Sequence, residues 1–238
     1  MVALFTLPVN MDKRLNLTEA ACDCRYLLAR SYSRSATLTL VGNRYKLDQT
    51  SRQILHRGVF APDAARARRA KLRLLRDLAG QPLGLDGHNV LITLECAVRK
   101  LPLVAADDGF IRDVGQVSGA FRASPETEQA LNLLADYLGQ QQAGPVQVYY
   151  DAPMSKSGEL ARRTRELWAQ RGLKVTAAAV PVPERELSVW AGPIATSDTG
   201  LIDQVEMVVD LAGEIIRGEP AWQVLDLGTV SHEPLARS

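Results

Sequence analysis

The chain has 238 residues, 46% apolar and 23% charged, the balance of a globular protein with one sizeable core or two smaller ones. No apolar run approaches the roughly 20 residues of a bilayer span. The first residues lack a basic n-region and are soon followed by Asp12 and Glu19, so a signal peptide is not expected and a cytoplasmic location is. Three cysteines (Cys22, Cys24, Cys96) and three scattered histidines (His56, His88, His232) exclude a disulfide framework and a zinc knuckle, so any metal should have oxygen ligands.

Net charge is +1, but residues 1–80 carry 15 Lys and Arg against 6 Asp and Glu, whereas 81–238 carry 13 against 21. This pattern fits a polyanion-binding front on a cation-binding body, two halves that neutralise each other, or simply a solvated basic helix.

Residues 1–16 read as a loosely held arm. Leu17, Ala20, Ala21, Cys24, Leu27 and Leu28 recur at helical spacing. Residues 37–47 read as a β-hairpin turning at Gly42-Asn43, and a short helix carrying Ile54 and Leu55 starts at Asp48 or Thr50 and ends near Gly58. The spacing then predicts one helix from Pro62 to Leu78, with a narrow stripe of Leu72, Leu75 and Leu78. It carries Arg66, Arg68, Arg69, Lys71, Arg73 and Arg76, and because the apolar stripe is narrow most of the arginines are expected to face outward, where they can fork onto successive phosphates. Arg44 and Arg57 are further candidates for that surface, and Tyr45 reads as a packing residue. Gly80-Gln81-Pro82 marks the expected boundary between a basic, mainly helical domain (1–80) and the body (81–238).

In the body, strands are expected at 83–86, 146–150, 173–179, 189–195, 206–211 and 222–227. Helices are expected at 89–99, 125–138, 158–171, near Ser197 and at 211–217. A Pro-rich connection lies at 181–183, and 101–122 forms a hairpin or loop insertion. Such alternation is the signature of a parallel α/β sheet. The focal stretch is Leu83–Thr93: a strand ends in Asp86, Gly87 permits a tight turn, and Val90, Leu91, Leu94, Ala97 and Val98 make an apolar helix face. Acids also follow apolar runs at Asp107-Asp108, Asp151 and Asp198. A parallel sheet would gather such strand-end acids at one edge, where ligands bind. Asp86, Asp151 and Asp198 are therefore the expected ligands of a hard cation, Mg²⁺ or Mn²⁺. Asp107, Asp108 and Asp113 compete for a fourth place (Asp108 foremost), Asp203 is an outer member, and Asn89 orients water or phosphate. Each acid has a plainer alternative: Asp86 and Asp198 stand where helices begin and could be N-caps, and Asp108-Gly109 could be a turn.

Ser155-Lys156-Ser157 opens a helix after Asp151 and reads either as a phosphate seat or as a capped helix start. Thr196-Ser197 beside Asp198 could likewise hold water or phosphate. No Walker loop, GxGxxG fingerprint or GxSxG elbow is present.

Leu-Asp-Gly-His-Asn-Val-Leu (85–91), Tyr-Tyr-Asp (149–151) and Ala-Thr-Ser-Asp-Thr-Gly-Leu-Ile-Asp (195–203) resemble the NYN branch of the PIN-like nuclease superfamily, over roughly 83–210. That resemblance implies a PIN-like, doubly wound α/β body with Asp86, Asp151 and Asp198 as metal ligands and Asn89 and Ser197 in support. The whole chain also resembles the prokaryotic family called domain of unknown function 434, through Val-Gly-Asn-Arg-Tyr (41–45), His-Arg-Gly-Val-Phe (56–60), Asp-Asp-Gly-Phe-Ile-Arg-Asp (107–113) and Ser-Lys-Ser-Gly-Glu (155–159). The expected function is a metal-dependent ribonuclease, with Arg66, Arg69, Arg73 and Lys156 guiding a structured or tRNA-like RNA. No membrane contact is expected, and a homodimer is left open. The alternatives are a non-catalytic RNA-binding adaptor, and a phosphatase or phosphotransferase with Ser155–Ser157 as its anion seat.

Overall fold

In the computed structural model the described residues are 11–115 and 124–228. The first ten residues of the expected arm, positions 116–123 of the expected insertion, and His232 lie outside them.

Four helices come first: α1 (Met11–Ala29), α2 (Arg34–Arg44), α3 (Gln49–Gly58) and α4 (Pro62–Lys71). Helix α1 thus begins before Leu17. The hairpin expected at 37–47 is helix α2. Ser33 caps it by accepting from the Ala36 amide, and Thr37 and Val41, one helical turn apart, are both buried. The β-branched, alternating run misleads because Thr37 and Val41 pack at helical spacing, with Val41 set against the other front helices and the face of the sheet that carries Val104, and this tertiary packing overrides local strand propensity. Gly42 lets the Arg52 guanidinium lie against the α2 backbone, where a Cβ would collide. The long basic helix is also shorter than expected. Leu72 turns extended at the end of α4, bridges in parallel to Val208, and Arg73 donates its amide to the Val208 carbonyl. A single 3₁₀ turn at Leu75–Leu78 then leads into the body.

There the chain runs through β1 (Leu83–Asp86), α5 (Gly87–Val98), the antiparallel pair β2 (Leu103–Ala105) and β3 (Ile111–Asp113), and α6 (Pro125–Gln140). It continues through β4 (Val146–Asp151), α7 (Ser157–Ala169), β5 (Val175–Val180), α8 (Pro183–Ser188), β6 (Ile194–Ala195), α9 (Thr199–Gln204), β7 (Val208–Val209), α10 (Leu211–Gly218) and β8 (Leu225–Asp226). Much of the strand expected at 189–195 is absent, because Pro183 starts α8 instead and only Ile194 and Ala195 pair.

Five strands form a wholly parallel sheet in the order β5-β4-β1-β6-β7. Alternate residues divide between two cores. Leu85, Val148, Tyr150, Ala195 and Val209 pack with α5, α6, α7 and α10, while Tyr149, Ile194 and Val208 face α8 and α9. Helices therefore cover both faces, and the chain moves outward from β1 first through β4 and β5, then through β6 and β7. The reversal falls between β1 and β6, the point at which open α/β sheets bind ligands.

The last expected strand, β8, joins a second sheet instead, β3-β2-β8. That sheet and the helical front share one core: Leu17, Ala20, Cys24, Val41, Ile54 and Leu55 pack with Val104, Val114 and Leu227. Among the described residues no helix is long and apolar enough to cross a membrane.

Gly87 is needed for a close approach rather than for a left-handed turn, since it is not among the glycines of positive φ. A Cβ there would meet the Tyr150 ring at 2.5 Å and the Tyr149 carbonyl oxygen at 2.8 Å. Replacing Gly87 with Ala should cost about 1–3 kcal/mol in urea denaturation, the usual penalty of overpacking. A variant as stable as the wild type would refute this contact.

Candidate functional site

The carboxyl ends of β4, β1 and β6 lie side by side, so Asp151, Asp86 and the loop Thr196-Ser197-Asp198 emerge at one edge of the sheet. Asp86 is central and only 5% exposed. It occupies the N-cap position of α5, yet its side chain makes no cap hydrogen bond. Oδ2 accepts from the Thr196 hydroxyl at 2.8 Å instead. Burial pushes the Asp86 pKa up to about 7; the Thr196 hydrogen bond opposes this, and the charges of Asp151, Glu184 and Asp198 add to it. The expected acids are thus close enough to repel one another, with Glu184 of α8 as an additional member.

Asn89, on the first turn of α5, braces the facing loop. Its Oδ1 accepts from the Ser197 amide at 2.7 Å and from the Ser197 hydroxyl at 2.9 Å. The Asp198 amide donates to Thr196 Oγ1 at 3.0 Å. Asp198 is also an N-cap, its Oδ1 accepting from the Leu201 amide at 2.9 Å. The cap reading therefore holds for Asp198 and fails for Asp86. Asp151 is a third exposed at its side chain, and its Oδ2 stands 3.0 Å from His88 Nδ1, the same nitrogen that lies 3.0 Å from the Asp151 amide. That nitrogen can serve only one of them at a time. Burial lowers the His88 pKa despite the neighbouring carboxylate, so the imidazole is neutral at pH 7.

The other expected acids are held elsewhere. Asp108 is fully buried and accepts from Arg112 at 2.7 and 2.9 Å and from Arg68 at 3.3 Å. Asp203 takes a two-pronged bond from Arg68 at 2.7 and 2.8 Å, which draws its pKa down. Asp107 is bound by Arg25 and the Phe60 amide, and Asp113 by Arg57. A carboxylate already neutralised by arginine gains little from a cation, which corrects the expectation that Asp108 and Asp203 surround the ion. These pairs also explain part of the charge asymmetry: Arg25, Arg57 and Arg68 of the front meet acids of the body.

Arg68 is buried and points inward, an exception to the expectation that most of these arginines face outward. Arg66, Arg69 and Arg73 are exposed; Arg66 pairs with Asp63, while Arg69 and Arg73 donate to nearby carbonyls. The Ser155–Ser157 stretch opens α7 without a side-chain cap, since Lys156 stands at the N-cap position, and its groups are turned to the chain itself. Ser157 is buried with its hydroxyl turned to the Asp151 and Met154 carbonyls, and Lys156, in a left-handed conformation, faces Glu159. Ser155 is exposed. Cys24 and Cys96 are buried, which pushes both thiols up to about 12 and makes them poor nucleophiles.

Among the described residues no three His, Cys, Asp or Glu side chains are grouped closely enough to hold a metal by themselves. The donor set nevertheless suits Mg²⁺, which keeps several waters and is commonly held through one or two carboxylates plus substrate phosphate. A buried carboxyl whose ionisation is suppressed by burial and neighbouring charge is the feature such a cation would relieve.

Comparison with known proteins gives the lineage. The family described as "Domain of unknown function (DUF5616)" matches residues 75–214, more than half of the chain. The chain belongs to this family. The DUF5616 segment contains Asp86, Asn89, Asp151 and Thr196–Asp198. A second family, "Protein of unknown function (DUF434)", matches residues 16–71, which span most of α1 and all of α2 to α4. An uncharacterized protein of the archaeon Methanocaldococcus jannaschii is 32% identical over 204 residues, covering 85% of this chain and 97% of that protein. An alignment of that length reaches into both the DUF434 and the DUF5616 segments. No solved structure matches the chain.

Sequence reasoning missed His88, Glu184 and Arg112 as neighbours of the site. His88 could have been found by its place two residues after Asp86, at the helix start. Glu184 had no signal, because α8 itself was not foreseen.

The Asp86 pKa has a consequence for stability. In metal-free protein the folded chain retains a proton that the unfolded chain, with a pKa near 3.8, has released. The stabilisation from this group is complete at low pH and is lost as pH rises toward about 7. Asp86→Asn removes that loss. Its melting temperature in chelator, relative to wild type, should rise between about pH 4 and about pH 7 and level off above that; a constant difference would show that Asp86 ionises normally.

Proposed function

We propose that the chain is a metal-dependent ribonuclease of PIN-like architecture, with a cation at the edge where Asp86, Asp151 and Asp198 emerge, held by Asp86 and one of the other two while waters and substrate phosphate complete its shell. The observation that carries this reading is the crowding of three carboxylates at adjacent ends of a parallel sheet, at its reversal point, around a buried Asp86 whose pKa is about 7. The strand order, together with the Asp-Gly-His-Asn and Thr-Ser-Asp strings, supports the PIN-like assignment within the α/β class.

A divalent ion at such a site supplies Lewis acidity toward a phosphodiester oxygen and toward the attacking water. The residues of the chain do the rest. Thr196 fixes the Asp86 carboxylate and Asn89 fixes the backbone at Ser197, so the acids are oriented before substrate arrives. Exposed Arg66, Arg69 and Arg73 offer charge to successive phosphates of an RNA backbone. RNA is favoured over a small phosphorylated substrate because Ser157 is committed to carbonyls and Lys156 faces Glu159, which leaves the 155–157 turn poorly suited as an anion seat.

Labelled RNA should be cut with Mg²⁺ or Mn²⁺ and not in chelator. Asp86→Asn combined with Asp198→Asn should abolish cleavage while RNA binding persists; a double variant as active as wild type would end the proposal. Replacing Arg66, Arg69 and Arg73 together with Gln should flatten the dependence of log K on log salt by about 2, as expected for three lost contacts to single-stranded phosphates. An unchanged slope would place the RNA on another surface.

A further inference from the structure

Arg68 of α4 and Arg112 of β3 belong to elements outside the acid cluster, yet an unbroken chain of hydrogen bonds joins them to its most constrained loop. Arg68 grips Asp203 through Nε and Nη2 and reaches Asp108 Oδ2 through Nη1 at 3.3 Å. Arg112 takes both oxygens of Asp108 with its two terminal nitrogens, and its Nε donates to the Ser197 carbonyl at 2.8 Å. Aromatic rings fix the guanidinium planes: Arg68 lies 4.7 Å and Arg112 5.1 Å from the Phe60 centroid, and Arg112 also lies 5.3 Å from that of Phe110.

The far end of this chain is a single peptide unit. The carbonyl of Ser197 accepts from Arg112, while the amide of the same unit, that of Asp198, donates to Thr196 Oγ1 at 3.0 Å. With both ends held, that peptide cannot rotate without breaking a bond on one side. The residue whose backbone it begins is Asp198.

The geometry points to Arg112, backed by Arg68, as a positioning residue for Asp198, so that the helical front sets the orientation of a carboxylate in the body through Asp108 and the Ser197 carbonyl. This rests on the reading of Asp198 as a cation ligand. Lysine cannot replace Arg112, because an ammonium offers no planar fork to Asp108 with a third donor aimed at Ser197. The DUF434 segment thereby completes the site rather than merely delivering RNA to it.

The test uses the full chain and three variants: Arg112→Lys, Arg68→Gln and Asp203→Asn. Hydrogen exchange at the Ser197 and Asp198 amides should accelerate on the order of tenfold in Arg112→Lys, the equilibrium factor for one lost hydrogen bond, and by less in the other two. Exchange in β4 should not change. If Arg112→Lys fails to fold, Arg68→Gln and Asp203→Asn decide, since the Asp203 side chain is half exposed. In RNA cleavage the folded variants should lose kcat and keep the wild-type KM, as expected of altered orientation rather than altered binding. Unchanged exchange at Ser197 and Asp198 in the folded variants would overturn the inference, as would faster exchange with undiminished kcat. Absence of metal-dependent cleavage by the wild type would remove the nuclease reading and leave the exchange result to judge the positioning alone.

Discussion

Burial of the Asp86 carboxyl is the constraint on which the site depends. The carboxyl sits at the end of the middle strand, with Asp151 on one side and the Asp198 loop on the other, and folding withdraws it from water without supplying an arginine or lysine. Isolated buried charge is costly, so the group must stay protonated or acquire a positive partner. Every other buried acid described nearby has a different solution. Asp108 has two arginines, Asp113 has Arg57, and Asp210 has Arg217 and the Ile111 and Gly213 amides. The contrast singles out Asp86 as the acid left for something outside the chain.

The parallel sheet makes this arrangement possible. Because β4, β1 and β6 run the same way, residues 65 and 112 positions away from Asp86 in the chain reach the same edge without any local interaction between them. The helical front is tied to that edge from behind by the Arg68–Asp108–Arg112 cluster. Removing one partner of such a buried pair typically costs about 3–5 kcal/mol, because the remaining charge is stranded. The front and body thus act as one electrostatic unit, although different families match the two stretches.

The sheet strands around the site were largely legible in the sequence. Val146–Asp151 reads as a strand because Val146, Val148 and Tyr150 alternate into one core, and the helix after Asp86 reads correctly because it is apolar enough to be buried on nearly all sides. Asp86, Asn89 and Asp198 were legible for the same reason: each sits at a junction of strand and helix. What escaped was tertiary. Nothing in Thr37–Leu47 says that Val41 will pack against other helices and the face of a sheet rather than join one as a strand, and nothing in the spacing of arginines on 62–78 says that Arg68 turns inward to Asp108 and Asp203. Asp108 looked like a strand-end acid of the same kind as Asp86, and what distinguishes the two is its arginine partners, Arg112 four residues on and Arg68 far away in α4. Charge counts could show that front and body were complementary, but not which residues met.

The most direct measurement of the central claim is an anomalous-difference map from crystals soaked in Mn²⁺. The account predicts a peak at the carboxyl ends of β4, β1 and β6, in contact with the Asp86 carboxylate and at least one of Asp151 and Asp198. A fully occupied Mn²⁺ elsewhere with this edge empty, or no bound Mn²⁺ at saturating concentration, would contradict it.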